Sequence, residues 1–228
     1  MTAKTLTSPQ TGLSATRAPA ISRGLGFARP AQLIDTVRQG RPVILCDNED
    51  RENEGDIVFA AQFASPKLVT QMIREAGGLI CVALAPSLVA KFRLRPMVAK
   101  NQCPKGTAFT VSVDAAQGIT TGISARDRAH TIRLLGDSRS RPKDFAAPGH
   151  IFPLAARPGL LGERQGHTEA SVALVSFADL TPAAAICEIL GDDGEAMRRD
   201  ALFGFARQQD LLIGTVAELS AWSGIGHC

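Results

Sequence analysis

Apolar residues recur at helical spacing in five segments of the chain. After Pro30 they fall on one face until Gly40, a common stop signal, which predicts a first helix. A second helix is predicted over residues 66–76, between a proline and a Gly-Gly pair. The same criteria predict helices over residues 124–135 (with Ser124 as the N-cap), 182–190 and 201–209.

Short runs of apolar or alternating residues between these helices predict strands. Apolar runs cover residues 42–46, 79–84, 172–175 and 211–216, and residues 109–113 alternate at period two. Residues 136–149 are polar and contain several Arg and Pro, which predicts a mobile loop. Because strands and helices alternate without a long linker, we expect a single compact α/β (α+β) domain with a mixed β-sheet core flanked by helices.

The two ends of the chain differ from its centre. Residues 1–28 contain many Ser, Thr, Ala and Pro and little apolar periodicity, which predicts a flexible N-terminal tail. Because this segment has basic but no acidic residues, an organellar transit peptide is an alternative. We expect the folded domain over residues 29–222 and a C-terminal tail over residues 223–228.

The overall composition excludes several classes of protein. The formal charge of +3 is too small to indicate a nucleic-acid partner, and Lys and Arg do not cluster. No apolar stretch approaches the roughly 20 residues that cross a bilayer. The five cysteines are scattered and form no Cys-x-x-Cys pair, which favours neither a disulfide framework nor a cysteine zinc site. We therefore expect a cytoplasmic protein with no nucleic-acid or membrane partner.

The densest polar segment directly follows the predicted strand 42–46. Residues 47–56 read Asp-Asn-Glu-Asp-Arg-Glu-Asn-Glu-Gly-Asp and contain six carboxylates. Such close like charges repel unless a cation, solvent or a phosphorylated ligand compensates them. The end of a buried strand is a common place for a ligand site in α/β proteins. The segment therefore indicates either a solvated acidic turn or a binding loop.

Three isolated side chains are candidates for chemistry. His167 stands in Arg-Gln-Gly-His-Thr-Glu (164–169), where Arg, Gly and Thr suit a phosphate and the imidazole suits a metal ion. His150 follows a Pro-Gly pair at a predicted turn. Glu188 lies between apolar residues, which indicates either a buried acid with a role in proton transfer or a helix acid facing solvent. A lone His is often structural, but an acidic loop needs a cation, and Mg²⁺ prefers oxygen ligands.

Two Gly-Thr segments add weaker signals. Residues 106–110 (Gly-Thr-Ala-Phe-Thr) and 120–122 (Thr-Thr-Gly) place hydroxyls and glycine amides at the start of predicted elements. Loop amides and helix N-termini suit phosphate oxygens, although such pairs are also common in turns.

The order of the motifs resembles one enzyme family over residues 29–222. Six segments occur in register: Asp-Arg-Glu-Asn-Glu-Gly-Asp (50–56), Gly-Thr-Ala-Phe-Thr-Val (106–111), Thr-Thr-Gly-Ile-Ser-Ala-Arg-Asp-Arg (120–128), Pro-Gly-His-Ile-Phe-Pro-Leu (148–154), Gly-His-Thr-Glu-Ala (166–170) and Ile-Cys-Glu-Ile (186–189). The chain closely resembles the 3,4-dihydroxy-2-butanone 4-phosphate synthases of riboflavin biosynthesis. That resemblance implies a compact α/β fold and a homodimer with sites at the subunit interface.

The resemblance also implies a reaction and its cofactor. Members are lyases that convert D-ribulose 5-phosphate to L-3,4-dihydroxy-2-butanone 4-phosphate and formate with Mg²⁺, and Mn²⁺ is an alternative. By matching motif positions, Glu52 and His167 would bind the metal ion. Catalytic residues would be His150 and Glu188 for proton transfers, with Glu54 and Cys81 as further candidates. Substrate contacts would come from Arg51, Glu52, Asp56, Thr107, Arg164, Gln165, Gly166, His167, Thr168 and Glu188.

Two departures from the family pattern leave alternatives. Residues 101–105 (Asn-Gln-Cys-Pro-Lys) differ from the usual loop before the Gly-Thr, so an enzyme for a related pentulose phosphate is one alternative. A non-catalytic sugar-phosphate-binding paralogue is another. Many relatives continue into a GTP cyclohydrolase-type domain with a cysteine zinc cluster, which this sequence lacks. We therefore expect a monofunctional enzyme.

Overall fold

The structure, a computed structural model, describes residues 26–224, which form seven strands and seven α-helices. The strands are β1 (Val43–Cys46), β2 (Gly55–Ala60), β3 (Cys81–Leu84), β4 (Val113–Ala115), β5 (Phe145–Ala155), β6 (Ala183–Glu188) and β7 (Leu212–Thr215). The helices are α1 (Pro30–Arg38), α2 (Pro66–Gln71), α3 (Pro86–Phe92), α4 (Ala125–Leu135), α5 (His167–Phe177), α6 (Arg199–Gln209) and α7 (Val216–Gly224). No helix in this range is long and apolar enough to cross a membrane.

All seven strands belong to one mixed sheet in the order β4-β5-β3-β6-β2-β1-β7. β1 pairs with β7 and β3 with β5 in parallel, and the other neighbours are antiparallel. The four central strands bury both of their faces in two apolar cores. One core contains Phe59 and packs against α2, α4 and α6; the other contains Val58 and packs against α1, α5 and α7. The expected mixed sheet flanked by helices is confirmed.

Most predictions that rested on helix caps and stop signals are correct. α1 begins at Pro30, and α4 is capped by Ser124, whose hydroxyl accepts a hydrogen bond from the Asp127 N–H at 3.1 Å. The helix predicted over 66–76 is α-helical to Gln71 and continues as a π-helical segment until Gly77, which has φ of +80°. The strands predicted at 42–46, 79–84 and 211–216 are present as β1, β3 and β7.

Two predictions based on apolar runs assigned the wrong type of secondary structure. Residues 172–175, expected as a strand, lie in α5, because a helix buried on almost every side has no polar face to reveal its period. Residues 182–190, expected as a helix, form β6. Its alanines favour a helix in isolation, but β6 lies between β3 and β2, and burial on both faces overrides that preference.

The region from 109 to 155 differs most from the prediction. Of the expected strand 109–113, only Val113 lies in a strand, and Phe109 and Thr110 form isolated bridges. The expected loop 136–149 contains a 3-10 turn and the first half of β5, the longest strand of the described chain. β2 and α3 were not predicted, although Pro86 at the first helical position is a start signal for α3.

The ordered domain begins before residue 29. The Phe27 ring lies 5.0 Å from that of Phe203, and the Ala28 N–H donates to the Ile213 carbonyl at 2.7 Å. These two residues belong to the domain rather than to the predicted tail, and α7 extends the domain to Gly224. Residues 1–25 and 225–228, where the rest of both predicted tails falls, lie outside the described residues.

Candidate active site

The acidic segment between β1 and β2 is organised by its first carboxylate. Asp47 is buried, and its oxygens accept hydrogen bonds from the backbone N–H groups of Glu52 and Glu54 at 3.1 and 3.0 Å. The Arg51 guanidinium donates to the same carboxylate at 2.7 Å. Three donors to one buried acid close the segment into a defined loop. Of the two alternatives that the sequence left open, the solvated turn describes only Asn48, Glu49 and Asp50, which are exposed.

His167 is the first residue of α5, and its imidazole lies between two acids of this loop and strand β2. Nδ1 is 3.7 Å from Glu52 Oε2, and Nε2 is 3.9 Å from Asp56 Oδ1. Both Nε2 and Asp56 Oδ1 are buried and have no hydrogen-bond partner within residues 26–224. Unpaired polar atoms in a protein interior are costly and usually mark the place of a bound water or ion.

The close approach shifts the ionisation of all three groups. Burial opposes a charge on His167, but the carboxylates of Asp56 and Glu52 outweigh this effect and raise the imidazole pKa to about 9. The neighbouring His167 lowers the pKa of Glu52 to about 2. Burial raises the pKa of Asp56 to about 7. At neutral pH the imidazole therefore carries the positive charge that the carboxylates require.

The same side chains fit a divalent cation. Ligand atoms of Asp47, Glu52 and His167 lie within 4.8 Å of one another. Asp47 is already held by backbone amides and Arg51, whereas the free oxygen of Asp56 faces the imidazole. Carboxylate oxygens with one imidazole suit Mg²⁺ or Mn²⁺. The structure thus brings together Glu52 and His167, as the sequence predicted, and adds two acids beside them.

A cationic pocket adjoins this cluster at the N-terminus of α5. A Cβ atom on Gly166 would lie 2.3 Å from Arg164 Nη1 and 3.1 Å from Arg51 Nη2, so the two guanidinium groups meet over this glycine. Arg164 also donates to the Thr107 hydroxyl at 3.2 Å. Thr168 lies in the first turn of α5, where backbone N–H groups have no partner within the helix. Two guanidinium groups beside a helix N-terminus form a suitable environment for a phosphate.

Other predicted residues line the opposite side of the cluster or point elsewhere. Glu188 is the last residue of β6 and pairs in register with Asp56. Its carboxylate accepts a hydrogen bond from the Leu79 N–H at 2.9 Å. Cys81 is buried beneath them, and burial raises the pKa of its thiol, so it remains neutral. The Gln165 side chain instead donates to Ser220 in α7.

Glu54 is the remaining predicted acid of the loop. Its side chain is partly buried and lies 3.7 Å from the Arg198 guanidinium. Burial and then the charge of Glu52 raise its pKa above the usual value for a glutamate. Such a carboxyl can take up a proton more readily than a fully solvated one.

His150 lies on the same face of the sheet but not at the cluster. Cys81 pairs with both Phe152 and Ile186, so His150 and Glu188 extend to the same end of the sheet. Strands β5 and β2 are separated by β3 and β6, however, and three strand spacings amount to about 14 Å. Within one chain the strand that carries His150 is therefore three positions away from the strand that carries Asp56.

The Thr-Thr-Gly segment does not provide a phosphate site. The Asp127 carboxylate accepts hydrogen bonds from the Thr120 N–H and hydroxyl and from the Gly122 N–H. These donors are satisfied inside the protein, so the amides that the sequence analysis considered for phosphate are occupied. The segment instead forms a turn beside His150.

Comparison with known proteins shows the family. The model of the 3,4-dihydroxy-2-butanone 4-phosphate synthase family matches residues 31–222. The chain belongs to this family. The 3,4-dihydroxy-2-butanone 4-phosphate synthase of Cupriavidus pinatubonensis is 46% identical over 197 residues, which cover 86% of this chain and 88% of the relative. Family membership confirms the resemblance that the six motifs of the sequence indicated.

Other relatives are longer. Riboflavin biosynthesis protein RibBA of Aquifex aeolicus is 50% identical over 195 residues, which cover 85% of this chain and 48% of the relative. The chain thus spans about half the length of the relatives with this name. Because synthases of both lengths match, the expected monofunctional form stays a prediction.

Solved synthase structures agree with the fold. A 3,4-dihydroxy-2-butanone 4-phosphate synthase in complex with two magnesium ions superposes with a TM-score of 0.84 at 38% identity, and the match covers 86% of this chain and 97% of that one. The two-domain synthase RibBX of A. baumannii gives a TM-score of 0.81 at 44% identity and covers 84% of this chain and 56% of that one.

Sequence reasoning missed two acids that the fold places beside the predicted site residues. Asp47 was counted in the acidic segment but not assigned to the site; its position directly after a buried strand was the available signal. Asp114, which pairs with His150 at 2.6 Å, gave no signal, because the contact depends on how β4 and β5 meet.

Metal binding should release a proton and become stronger as pH rises. A metal ligand must be a neutral imidazole, whereas His167 is protonated below its pKa of about 9. Between pH 7.5 and 8.5 the affinity for Mg²⁺ should therefore increase by about tenfold, with about one proton released per ion. Calorimetric titrations in buffers of different ionisation enthalpy measure both quantities.

The control for this experiment is His167→Gln, because the glutamine side chain has a similar length and is neutral at every pH. Its Mg²⁺ affinity should be lower and nearly independent of pH in the same range. If the original protein binds Mg²⁺ with no pH dependence and no proton release, His167 does not exchange its proton for the metal ion.

Proposed function

We propose that this synthase-family protein converts D-ribulose 5-phosphate to L-3,4-dihydroxy-2-butanone 4-phosphate and formate. The observation that carries the proposal is the unpaired, buried His167 Nε2 facing Asp56 Oδ1, directly beside the arginine pocket at the N-terminus of α5. A cation site next to an anion site matches a substrate with a reactive ketone at one end and a phosphate at the other.

Arg51 and Arg164 would hold the phosphate, together with the first amides of α5. Guanidinium groups bind phosphate oxygens with paired hydrogen bonds, and a helix N-terminus favours negative charge. Thr107 orients Arg164 through its hydroxyl, and Glu169 pairs with the same guanidinium. Anchoring the unreactive end fixes the position of the reacting carbons relative to the acids of the loop.

Glu52 and His167 would hold the metal ion, Mg²⁺ or alternatively Mn²⁺, with Asp56 in reach. Bound there, the ion supplies a Lewis acid that stabilises negative charge on the substrate oxygens. The protein itself contributes the fixed shape of the β1–β2 loop. Asp47 accepts a hydrogen bond from the Glu52 N–H, which fixes the position of Glu52 relative to α5. Arg51 pairs with both Asp47 and Glu52, and after His167 its charge also helps to lower the pKa of Glu52.

The reaction requires several proton transfers at adjacent carbons. Enolisation removes a proton beside the ketone, loss of water needs an acid, and the later hydration that expels formate needs a base. Glu188 lies on the same strand row as Asp56, fixed by the Leu79 N–H, and is one candidate for these steps. Glu54, whose pKa is raised by burial, is another. His150 would complete the set.

A homodimer brings His150 to the site. Because three strand spacings, about 14 Å, separate the strand of His150 from the strand of Asp56 in one chain, we propose that His150 of the partner subunit reaches the substrate instead. The surface around the two halves is apolar: Leu79 and Ile123 are 44% and 53% exposed. Large exposed apolar side chains beside a site are typical of a surface that a partner covers.

Purified protein with D-ribulose 5-phosphate and Mg²⁺ should release one formate per substrate consumed. EDTA should stop the reaction, and added Mg²⁺ should restore it. Glu188→Gln should lower kcat by a factor of about 100 or more, because it removes an acid–base group but keeps the shape. A coupled formate dehydrogenase assay measures the rate, and Glu75→Gln, an exposed acid near the end of α2, is the matched control.

The outcomes separate the alternatives. Binding of the sugar phosphate without any formate would indicate the non-catalytic paralogue. Turnover of a different pentulose phosphate in preference to ribulose 5-phosphate would indicate altered specificity, with residues 101–105 as the first place to look.

Mixed dimers test the shared site. His150→Ala and Glu188→Ala homodimers should both be nearly inactive. If one chain supplies Glu188 and the other His150, each mixed dimer has one intact site, so random reassembly of equal amounts should restore about a quarter of the original activity. Subunits with two different affinity tags, refolded or expressed together, allow the mixed dimers to be isolated and assayed.

The control pair is His167→Ala with Glu188→Ala. Both residues belong to the cluster of one chain, so every site of their mixed dimer carries one substitution and no activity should return. Recovery in this pair, or none in isolated His150→Ala/Glu188→Ala dimers, contradicts the proposed division of the site between subunits.

A further inference from the structure

The first two residues of α6 break the usual pattern of a helix start. Arg198 is the N-cap, where Ser, Thr, Asp or Asn is favoured, and its side chain makes no capping hydrogen bond. Arg199 follows as the first helical residue. Cations are unfavourable at this end of a helix, because the helix dipole is positive there. Local preference therefore does not account for the two arginines, and contacts outside α6 must.

Both arginines reach the β1–β2 loop and bind its backbone at the candidate metal ligands. Arg198 Nη1 donates to the Glu52 carbonyl, and Arg199 Nη2 donates to the Asp47 carbonyl at 3.2 Å. Asp47 and Glu52 are the two residues whose ligand atoms cluster with that of His167. The two guanidinium groups thus hold the backbone of the loop at the points from which these side chains extend.

The same guanidinium groups pair with acids of the loop that lie outside this cluster. Arg199 Nη1 is 2.6 Å from Glu49 Oε1, and Arg198 Nη1 is 3.7 Å from Glu54 Oε1. The Glu49 side chain is 60% exposed, so its ion pair contributes little to the stability of the fold. The arginines therefore matter more for the position of the loop than for the free energy of unfolding.

The rest of α6 anchors these contacts in the protein interior. Leu202 is fully buried, and a Cβ atom on Gly55, the residue at which the loop ends and β2 begins, would lie 2.7 Å from Leu202 Cδ1. The Arg199 guanidinium also lies 5.4 Å from the centre of the Phe27 ring. Because α6 packs closely against the end of the loop, the arginines extend towards the loop from a fixed helix.

We propose that Arg198 and Arg199 are positioning residues of the metal site. By holding the Asp47 and Glu52 carbonyls, they fix the loop in the shape in which its carboxylates meet His167, and so increase the affinity for Mg²⁺. Their charge alone would act in the opposite direction, because a nearby cation repels a divalent ion. The sign of the effect therefore separates positioning from charge. The proposal rests on the metal site proposed above.

Two substitutions of Arg199 separate these effects. Arg199→Lys keeps the charge but loses the planar fork that reaches a carbonyl and a carboxylate together. Arg199→Met removes the charge as well. If Arg199 positions the loop, calorimetry should show Mg²⁺ binding weaker by a factor of about five or more in both variants. If only its charge mattered, the lysine variant would bind Mg²⁺ as the original protein does, and the methionine variant would bind it more tightly.

Arg207→Met is the matched control, because Arg207 is exposed on the same helix, about 12 Å further along its axis. Its Mg²⁺ affinity should be unchanged. Arg199→Met should still fold, since Arg199 Nε is buried without a partner in residues 26–224 and the substitution removes this unpaired donor. At saturating Mg²⁺ its kcat should return to within about twofold of the original value, which a general loss of structure would not allow.

Amide hydrogen exchange tests the position of the loop without any metal ion. The Glu52 and Glu54 N–H groups donate to the Asp47 carboxylate and should exchange slowly in the original protein with EDTA. In Arg199→Met both should exchange faster by a factor of about ten or more, whereas amides of α5 and β6 should not change. Arg198→Met, at a side chain that is 56% exposed, is a second variant with the same expectation.

Each outcome decides one of the two proposals. Unchanged exchange of the Glu52 and Glu54 amides in the folded variants overturns the positioning role, and so does Mg²⁺ binding that is unchanged or tighter. An original protein that binds no Mg²⁺ overturns it as well. If exchange and Mg²⁺ binding change as expected but the original protein releases no formate, the proposed function fails and the positioning by Arg198 and Arg199 stands.

Discussion

The imidazole of His167 between Glu52 and Asp56 is the interaction on which the site depends. Six acids of the β1–β2 loop and β2, together with Glu188, would repel one another if no cation were near. The protonated imidazole supplies one positive charge and Arg51 another, and both are buried or half-buried. Arg198 and Arg199 pair with Glu54 and Glu49, but the positive charges are still fewer than the acids. Burial raises the pKa of Asp56, and its Oδ1 atom has no hydrogen-bond partner within the described residues. An excess of carboxylates around a buried, unpaired oxygen suits a divalent ion.

The mixed sheet determines which candidates can meet. Because β2 and β6 are neighbours, Asp56 and Glu188 lie side by side without any contribution from loops. His150 lies in the same row but on β5, with β3 and β6 in between. One chain therefore carries the predicted site residues in two groups at one edge of the sheet. This separation is the reason for the proposal that two copies of the chain share each site.

Local signals in the sequence identified the elements that local interactions determine. The sequence predicted the caps of α1 and α4 and the strand before the acidic loop, because the signals for them act over a few residues. It also predicted the pairing of Glu52 with His167, because both residues lie in motifs of the family that the chain resembles. The sequence did not predict whether β6 and α5 are strand or helix, because a segment that is buried on every side shows no periodic pattern of polar residues. The sequence also did not predict the Asp114–His150 pair, because this contact depends on the irregular register between β4 and β5.

The helix α5 explains how such a concentration of charge coexists with a stable core. From Ala170 to Val175 its residues are buried, and the ionisable residues His167 and Glu169 both lie in its first turn. Glu169 is satisfied by Arg164 and by the Arg157 N–H, and the charge of His167 faces Glu52 of the loop and Asp56 of β2. The apolar part of the helix is packed against the sheet and α1, so the first turn cannot move without disturbing the core. Rigid support of this kind keeps ligand groups in place while they exchange protons, substrate and metal ions.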